Sequence, residues 1–341
     1  MFTGLTNTLK LQINSIRKAI RTNELLRAYY TGRVRVSSKN KAIKDLRVIS
    51  PDLVDWRIYD HCAAVTRLYS IYEGFVEELL SNWLNLLPDL IPSYVDLNDN
   101  IKKTHRIGVG QLLQDIEKNR YQNITPNQVV SGYYNGLSGI AKYELFPKVF
   151  LMHDQNLRKD ALVKIFTNSG ISDLWAWVEN YKEIRGFLRD IRGNNSTVEA
   201  EIRTLVDYRN EASHGYEVDT LLNDNELLEM ADFIEIFCNA LSELVTYEVM
   251  QIKKNKQEII ILGRITETFK NGAVVAQIEQ GNVSIGDEVY LSGKSWCRAC
   301  IINSIQLNDV NQEKVTITER TEVGFRFDIE AKRNLELLYV K

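Results

Sequence analysis

Arg209-Asn210-Glu211-Ala212-Ser213-His214-Gly215 sets a permanent cation, an amide and an imidazole close together in the chain. Those groups can break RNA without a metal ion. The ribose 2′-hydroxyl is the nucleophile, an imidazole can move its proton, and a guanidinium can hold the phosphate as charge builds on it. His214 is the candidate general base or acid, and Arg209 the candidate stabiliser of the transition state. Asn210 is placed to orient His214 or the substrate. DNA lacks the nucleophile and would resist.

The segment needs a helix to hold it. Ser196-Thr197-Val198-Glu199 reads as a capping box that starts one near residue 197, and Gly215 is suited to end it just past His214. Ile202, Leu205 and Val206 form its apolar stripe. Arg209 follows Leu205 at i+4 and lies on that stripe, where a cation calls for an anionic partner. Asn210 and His214 share a face. Arg209 and His214 diverge by about 140° on an ideal helix. They meet on one phosphate only if the helix end bends or a second copy faces the first. A lone histidine at a helix C-terminus is also a good partner for the helix dipole with no catalysis involved.

The rest of the chain supplies the scaffold. Leu5, Leu9, Ile13, Ile16 and Ile20 mark a first helix. Leu68, Ile71, Tyr72, Phe75, Val76, Leu79 and Trp83 mark a long second one that ends near Pro88. Thr125-Pro126-Asn127-Gln128 reads as a capped helix start, and Ser172 as the cap of a helix carrying Leu174, Trp175, Val178 and Tyr181. The run from Leu227 to Ile252 makes the last long helix. Past the polar stretch Lys253–Gln257 the pattern turns to short strands: 259–262, 274–278, 288–291, 299–302, 315–317 and 324–327. Asn271-Gly272, Gly281-Asn282 and Gly286-Asp287 read as turns between them. The expected fold is mainly α, a helical bundle over residues 1–254 followed by a small antiparallel β-barrel over 257–341.

Charge is uneven. The first fifty residues carry eleven Lys and Arg against two acids, a balance of +9, which leaves −12 for the remainder of a chain with net charge −3. That segment reads either as a phosphate-binding arm or as a solvated helix face. No apolar run is long enough to span a membrane. Four scattered cysteines, Cys62, Cys238, Cys297 and Cys300, suit a reducing cytoplasm.

Ile202 to Gly215 resembles the signature helix of the HEPN superfamily, in which Arg is followed by a polar residue and then by His. Arg209, Asn210 and His214 occupy those positions. Leu68 to Glu77 is similar to an earlier helix of that family, where a Glu sits among aromatics; Glu73, beside Tyr72 and Phe75, is the matching carboxylate and the candidate to contribute a catalytic carboxylate to the cleft. The resemblance covers roughly residues 55–250, with 96–160 as an insertion or divergence. It implies a helical bundle and a metal-independent endoribonuclease with no cofactor. It also implies RNA as substrate, a homodimer whose two motifs face one cleft, and a toxin or antiviral-defence effector held by a regulatory or antitoxin partner protein.

Gly263-Arg264-Ile265, the run Gly281 to Val289 and Glu322-Val323-Gly324-Phe325 are similar to domain 2 of translation GTPases. The chain holds no phosphate-binding G-x-x-x-x-G-K-[ST] loop, so no GTP hydrolysis follows. The barrel reads as a binding module. Cys297 and Cys300 form one CxxC without a second pair, a weak metal or redox signal. His61, His105 and His153 lack ligand spacing and read as structural. Glu77 and Glu78 read as a solvated face. The alternative to a nuclease is a non-catalytic RNA- or protein-binding adaptor, with the bundle as dimer scaffold and the barrel for docking.

Overall fold

The computed structural model describes residues 1–34, 41–118, 121, 123–151, 155–214 and 220–340. The side chains of Ile43, Arg47 and His214 lie outside that description, as do Gly215 and His153.

Helix α1 (Thr3–Tyr30), the short α2 (Lys41–Ile49) and the 38-residue α3 (Leu53–Leu90) open the fold. Asp52 caps α3 by accepting from Val54 and Asp55 N–H. The helix carries Pro88 inside its last turn and stops two residues later. Its apolar positions bury Val65, Leu68, Tyr72, Val76, Leu79 and Leu84 almost completely. Each such side chain contributes about 1.5–3 kcal/mol of burial. Against α3 pack α1, α10 (Val198–His214) and α11 (Asp224–Asn255).

Between α3 and α10 lie α4 (Asp99–Gln114), α5 (Pro126–Ser138), α6 (Pro147–Phe150), α7 (Lys159–Asn168), α8 (Leu174–Asn180) and α9 (Lys182–Asp190). The Thr125–Gln128 capping box forms as the sequence indicates. Two other expected caps do not. Asp173, at φ 59°, precedes α8 and makes no side-chain cap. Thr197 rather than Ser196 caps α10, its Oγ1 accepting from Ala200 N–H at 3.1 Å. Glu199 is therefore free to pair with Lys159 at 2.8 Å. Within the basic N-terminal segment, Arg17 is held by Asp232 and Glu235, and Arg27 by Asp60 and Asp224.

The strands are β1 (Ile259–Thr268), β2 (Ala273–Ile278), β3 (Gly281–Ser284), β4 (Glu288–Gly293), β5 (Trp296–Leu307), β6 (Val310–Gln312), β7 (Lys314–Ile317), β8 (Thr321–Phe327) and β9 (Glu336–Val340). They pair antiparallel in the order β4-β9-β1-β2-β8-β5, and β5 returns to β4 to close a six-stranded barrel. β6 extends β5, and β3 with β7 forms a separate ribbon. Gly281-Asn282, expected as a turn, opens β3 instead. Gly263 sits at a register shift of β1 where a Cβ would stand 1.9 Å from Gln277 O, so no side chain fits there.

The barrel is seated on the bundle. Ile259, Tyr290, Cys297 and Leu338 belong to the same apolar cluster as α3 and α11. Glu243 of α11 accepts from the Arg298 guanidinium, from Tyr181 Oη at 2.6 Å and from Cys297 N–H at 3.3 Å. The CxxC is split by this arrangement. Cys297 faces the bundle and Cys300 the barrel interior, and burial lifts both thiols to about 12.

His105 is fully buried among Tyr94, Tyr133 and Phe150. Its Nδ1 lies 3.1 Å from Tyr94 Oη, and among the described residues Nε2 has no hydrogen-bond partner. Burial lowers its pKa from the ordinary 6.5 to about 4. The folded state thus resists protonation that the unfolded chain accepts. Stability from this group is complete above pH 6.5 and is lost as pH falls toward 4. The stability gap between wild type and His105→Gln should shrink by about 2–3 kcal/mol between pH 7 and pH 4.5 in urea titrations. A gap independent of pH would contradict this account.

Candidate active site

Three pieces of chain meet at the C-terminal half of α10: the helix itself, the Tyr69–Glu73 turn of α3, and residues 155–158. The last piece is fixed by its backbone. Leu157 is fully buried, so both its peptide groups need partners. Its N–H donates to Tyr69 Oη at 3.1 Å, and its carbonyl accepts from Tyr72 Oη at 2.9 Å. Arg158 adds an ion pair to Asp207 of α10 at 2.5 Å.

Tyr69 serves three neighbours at once. It accepts from Leu157, donates to Glu73 Oε1 at 2.9 Å, and presents its ring to the Arg209 guanidinium at 4.8 Å. Burial and the neighbouring Glu73 carboxylate hold its phenol well above the ordinary range, against the opposing pull of Leu157 N–H and Arg209. It remains a neutral donor. Glu73 is half-buried, and its described contact is with this hydroxyl.

Arg209 is half-buried on the stripe that the sequence assigns to it. Its described partners are all neutral: the Tyr69 ring, Asn156 Oδ1 at 3.2 Å and Asn210 Oδ1 at 3.2 Å. Among the described residues no carboxylate pairs with it. Asn156 Nδ2 in turn donates to Asn210 Oδ1 at 2.9 Å. Arg209, Asn210 and Asn156 line an open cleft of about 540 Å³ together with Gln155, Arg158 and Asp160. α10 stays helical through His214, so position 214 falls one turn beyond Asn210 on the same face. The His214 side chain lies outside the described residues, as does the expected helix end at Gly215.

Sequence reasoning missed Asn156. It belongs to the segment 96–160, which carries no clear periodicity, and only the polar pair Gln155-Asn156 ahead of Leu157 hints at a loop with a task. His61 is a structural residue. Its Nδ1 accepts from Leu222 N–H at 3.3 Å, its ring stands edge-on to Tyr208, and burial lowers its pKa.

A family model, RiboL-PSP-HEPN, matches residues 33–247, a range that contains the bundle helices bearing Tyr69, Arg209 and Asn210. The chain belongs to the RiboL-PSP-HEPN family. The match takes in α3, α10, residues 96–160 and most of α11, and it ends before the barrel. This HEPN membership supports a nuclease or RNA-binding role in general. No curated protein matches the chain significantly. Among the described residues no helix is long and apolar enough to cross a membrane.

The Leu157 clamp predicts a graded stability effect. Tyr69→Phe strands a buried N–H and frees Glu73, and should lower unfolding free energy by about 1–3 kcal/mol in urea titrations. The same change at exposed Tyr59 on the same helix should stay within about 0.5 kcal/mol. Equal effects at the two sites would refute the clamp.

Proposed function

We propose that this HEPN protein is a metal-independent endoribonuclease. The observation that carries the reading is a half-buried guanidinium without a described carboxylate partner, at the wall of an open cleft, on the helix that ends in His214. A cation held this way keeps its charge for an anion from outside. A phosphodiester supplies that anion.

In the proposed reaction the RNA 2′-hydroxyl loses its proton to a base and its oxygen attacks the adjacent phosphorus. The bond to the 5′-oxygen breaks, and that oxygen takes up a proton. The products are a 2′,3′-cyclic phosphate and a 5′-hydroxyl. His214 moves one of the two protons, Arg209 neutralises the crowded phosphorus, and Asn210 fixes the approach. Glu73 acts at one remove, by holding Tyr69 and through it the face on which Arg209 rests. Because Arg209 and position 214 diverge along one helix, the reading includes a homodimer in which a second α10 completes the cleft. The proposal extends to a toxin or defence effector in the cytoplasm restrained by a partner protein, with the barrel as its docking module.

Cleavage of RNA in excess EDTA tests this directly. Wild type should produce fragments ending in a cyclic phosphate. His214→Ala should lower the rate by about 10²–10⁴, and Arg209→Ala by about 10²–10³. Cutting that survives His214→Ala unchanged, or that chelator abolishes, would defeat the mechanism. RNA binding without cutting by wild type would leave the adaptor reading.

A further inference from the structure

The cleft contains a residue with no assigned part. We propose that Asn156 is a positioning residue which aims the Arg209 guanidinium at one RNA phosphate while leaving its charge uncompensated. This inference rests on the reading that the cleft takes RNA, and it goes further by naming what keeps the site receptive.

Three observations support it. Asn156 is not a loosely tethered surface side chain. The next residue, Leu157, has both peptide groups bonded to tyrosines of α3, and Asn156 O accepts from Arg158 N–H at 2.7 Å. Its amide also makes both kinds of bond across the site: Oδ1 accepts from Arg209, and Nδ2 donates to Asn210. One planar group thereby fixes two side chains that leave α10 at successive positions. Finally, the group chosen is neutral. A carboxylate there would bind Arg209 more strongly, but it would cancel the charge that a phosphate must meet. The other arginine lining the cleft, Arg158, is already paired with Asp207.

Aspartate is nearly the same shape as asparagine, so Asn156→Asp separates a holding role from a merely structural one. If Asn156 only braces the loop, Asp should be tolerated: it gains an ion pair with Arg209, and a turn of the Asn210 amide lets Asn210 Nδ2 donate to the new carboxylate in place of the lost Asn156 Nδ2 donor. If it holds Arg209 for a phosphate, Asp should fold at least as stably and bind RNA poorly. The probe is a single-stranded RNA oligonucleotide carrying 2′-O-methyl groups, which cannot be cut by this route. Affinity is read by fluorescence anisotropy over a salt series on the full chain, with Tm measured in parallel. Asn156→Asp should retain Tm and lose about tenfold or more in affinity. Its log–log salt slope should fall by roughly 0.7, one phosphate contact. Asn156→Ala should lose less affinity, keep the wild-type salt slope and lower kcat on unmodified RNA.

Wild-type affinity and salt slope in Asn156→Asp would overturn the inference while leaving the nuclease reading intact. Loss of binding in that variant, with no cleavage of unmodified RNA by wild type, would support the inference and remove the nuclease reading. No binding of the probe by wild type would overturn the inference, and with no cleavage of unmodified RNA it would overturn the nuclease reading as well.

Discussion

The arrangement around the cleft depends on how one buried peptide unit is satisfied. Leu157 lies in a connection rather than in a helix or strand, yet it is fully buried. An unpaired peptide group in that position costs about 1–3 kcal/mol, so the fold must bring polar groups inward to meet it. It brings Tyr69 and Tyr72, one helical turn apart on the buried side of α3. The phenols arrive with large rings, and one of those rings becomes the surface under Arg209. A demand of the core thus builds the support under a residue that lines the cleft. The long, regular α3 can meet this demand because its own backbone is already bonded internally along that stretch.

The same ring helps explain how Arg209 tolerates its place on an apolar stripe. Full burial of an unpaired cation costs several kcal/mol. A cation–π contact returns about 0.5–2 kcal/mol, and each hydrogen bond to a charged group about 1.5–3 kcal/mol. These sums favour a half-exposed guanidinium with neutral partners, and that is the state observed. The sequence pattern points to an anion beside Arg209. Among the described residues the ring and the two amide oxygens take its place.

Much of the fold is legible in periodicity. The α1 stripe, the α3 core positions, the Thr125 cap and the change from helix to strand past residue 255 follow from apolar spacing and turn chemistry. What periodicity does not carry is pairing between distant segments. β9 has no strict alternation, since Leu337 and Leu338 are both buried, one toward the barrel and one toward the bundle. β3 hides behind the turn-forming residues Gly281 and Asn282. Asn156 reaches Arg209 across 53 residues of sequence, and nothing local marks that contact. Of the candidate site, the α10 positions are visible because they share one helix. The α3 carboxylate is visible as a residue type, but its contact with Tyr69 is not. The loop amide leaves almost no trace.

The barrel's seat follows from a polar cluster at an otherwise apolar joint. Glu243, Tyr181, Arg298 and Glu183 bond to one another between α11, the start of α9 and β5. Such a cluster adds little net stability, because desolvation offsets most of its attraction. It does penalise any other arrangement, since sliding the barrel would leave buried charges unmatched. Apolar contacts around Ile259 and Leu338 supply the adhesion, and the charges supply the register. α11 packs in turn along α3, the helix that carries Tyr69 and Glu73. The barrel is therefore held at a set orientation to the cleft by two shared helical contacts.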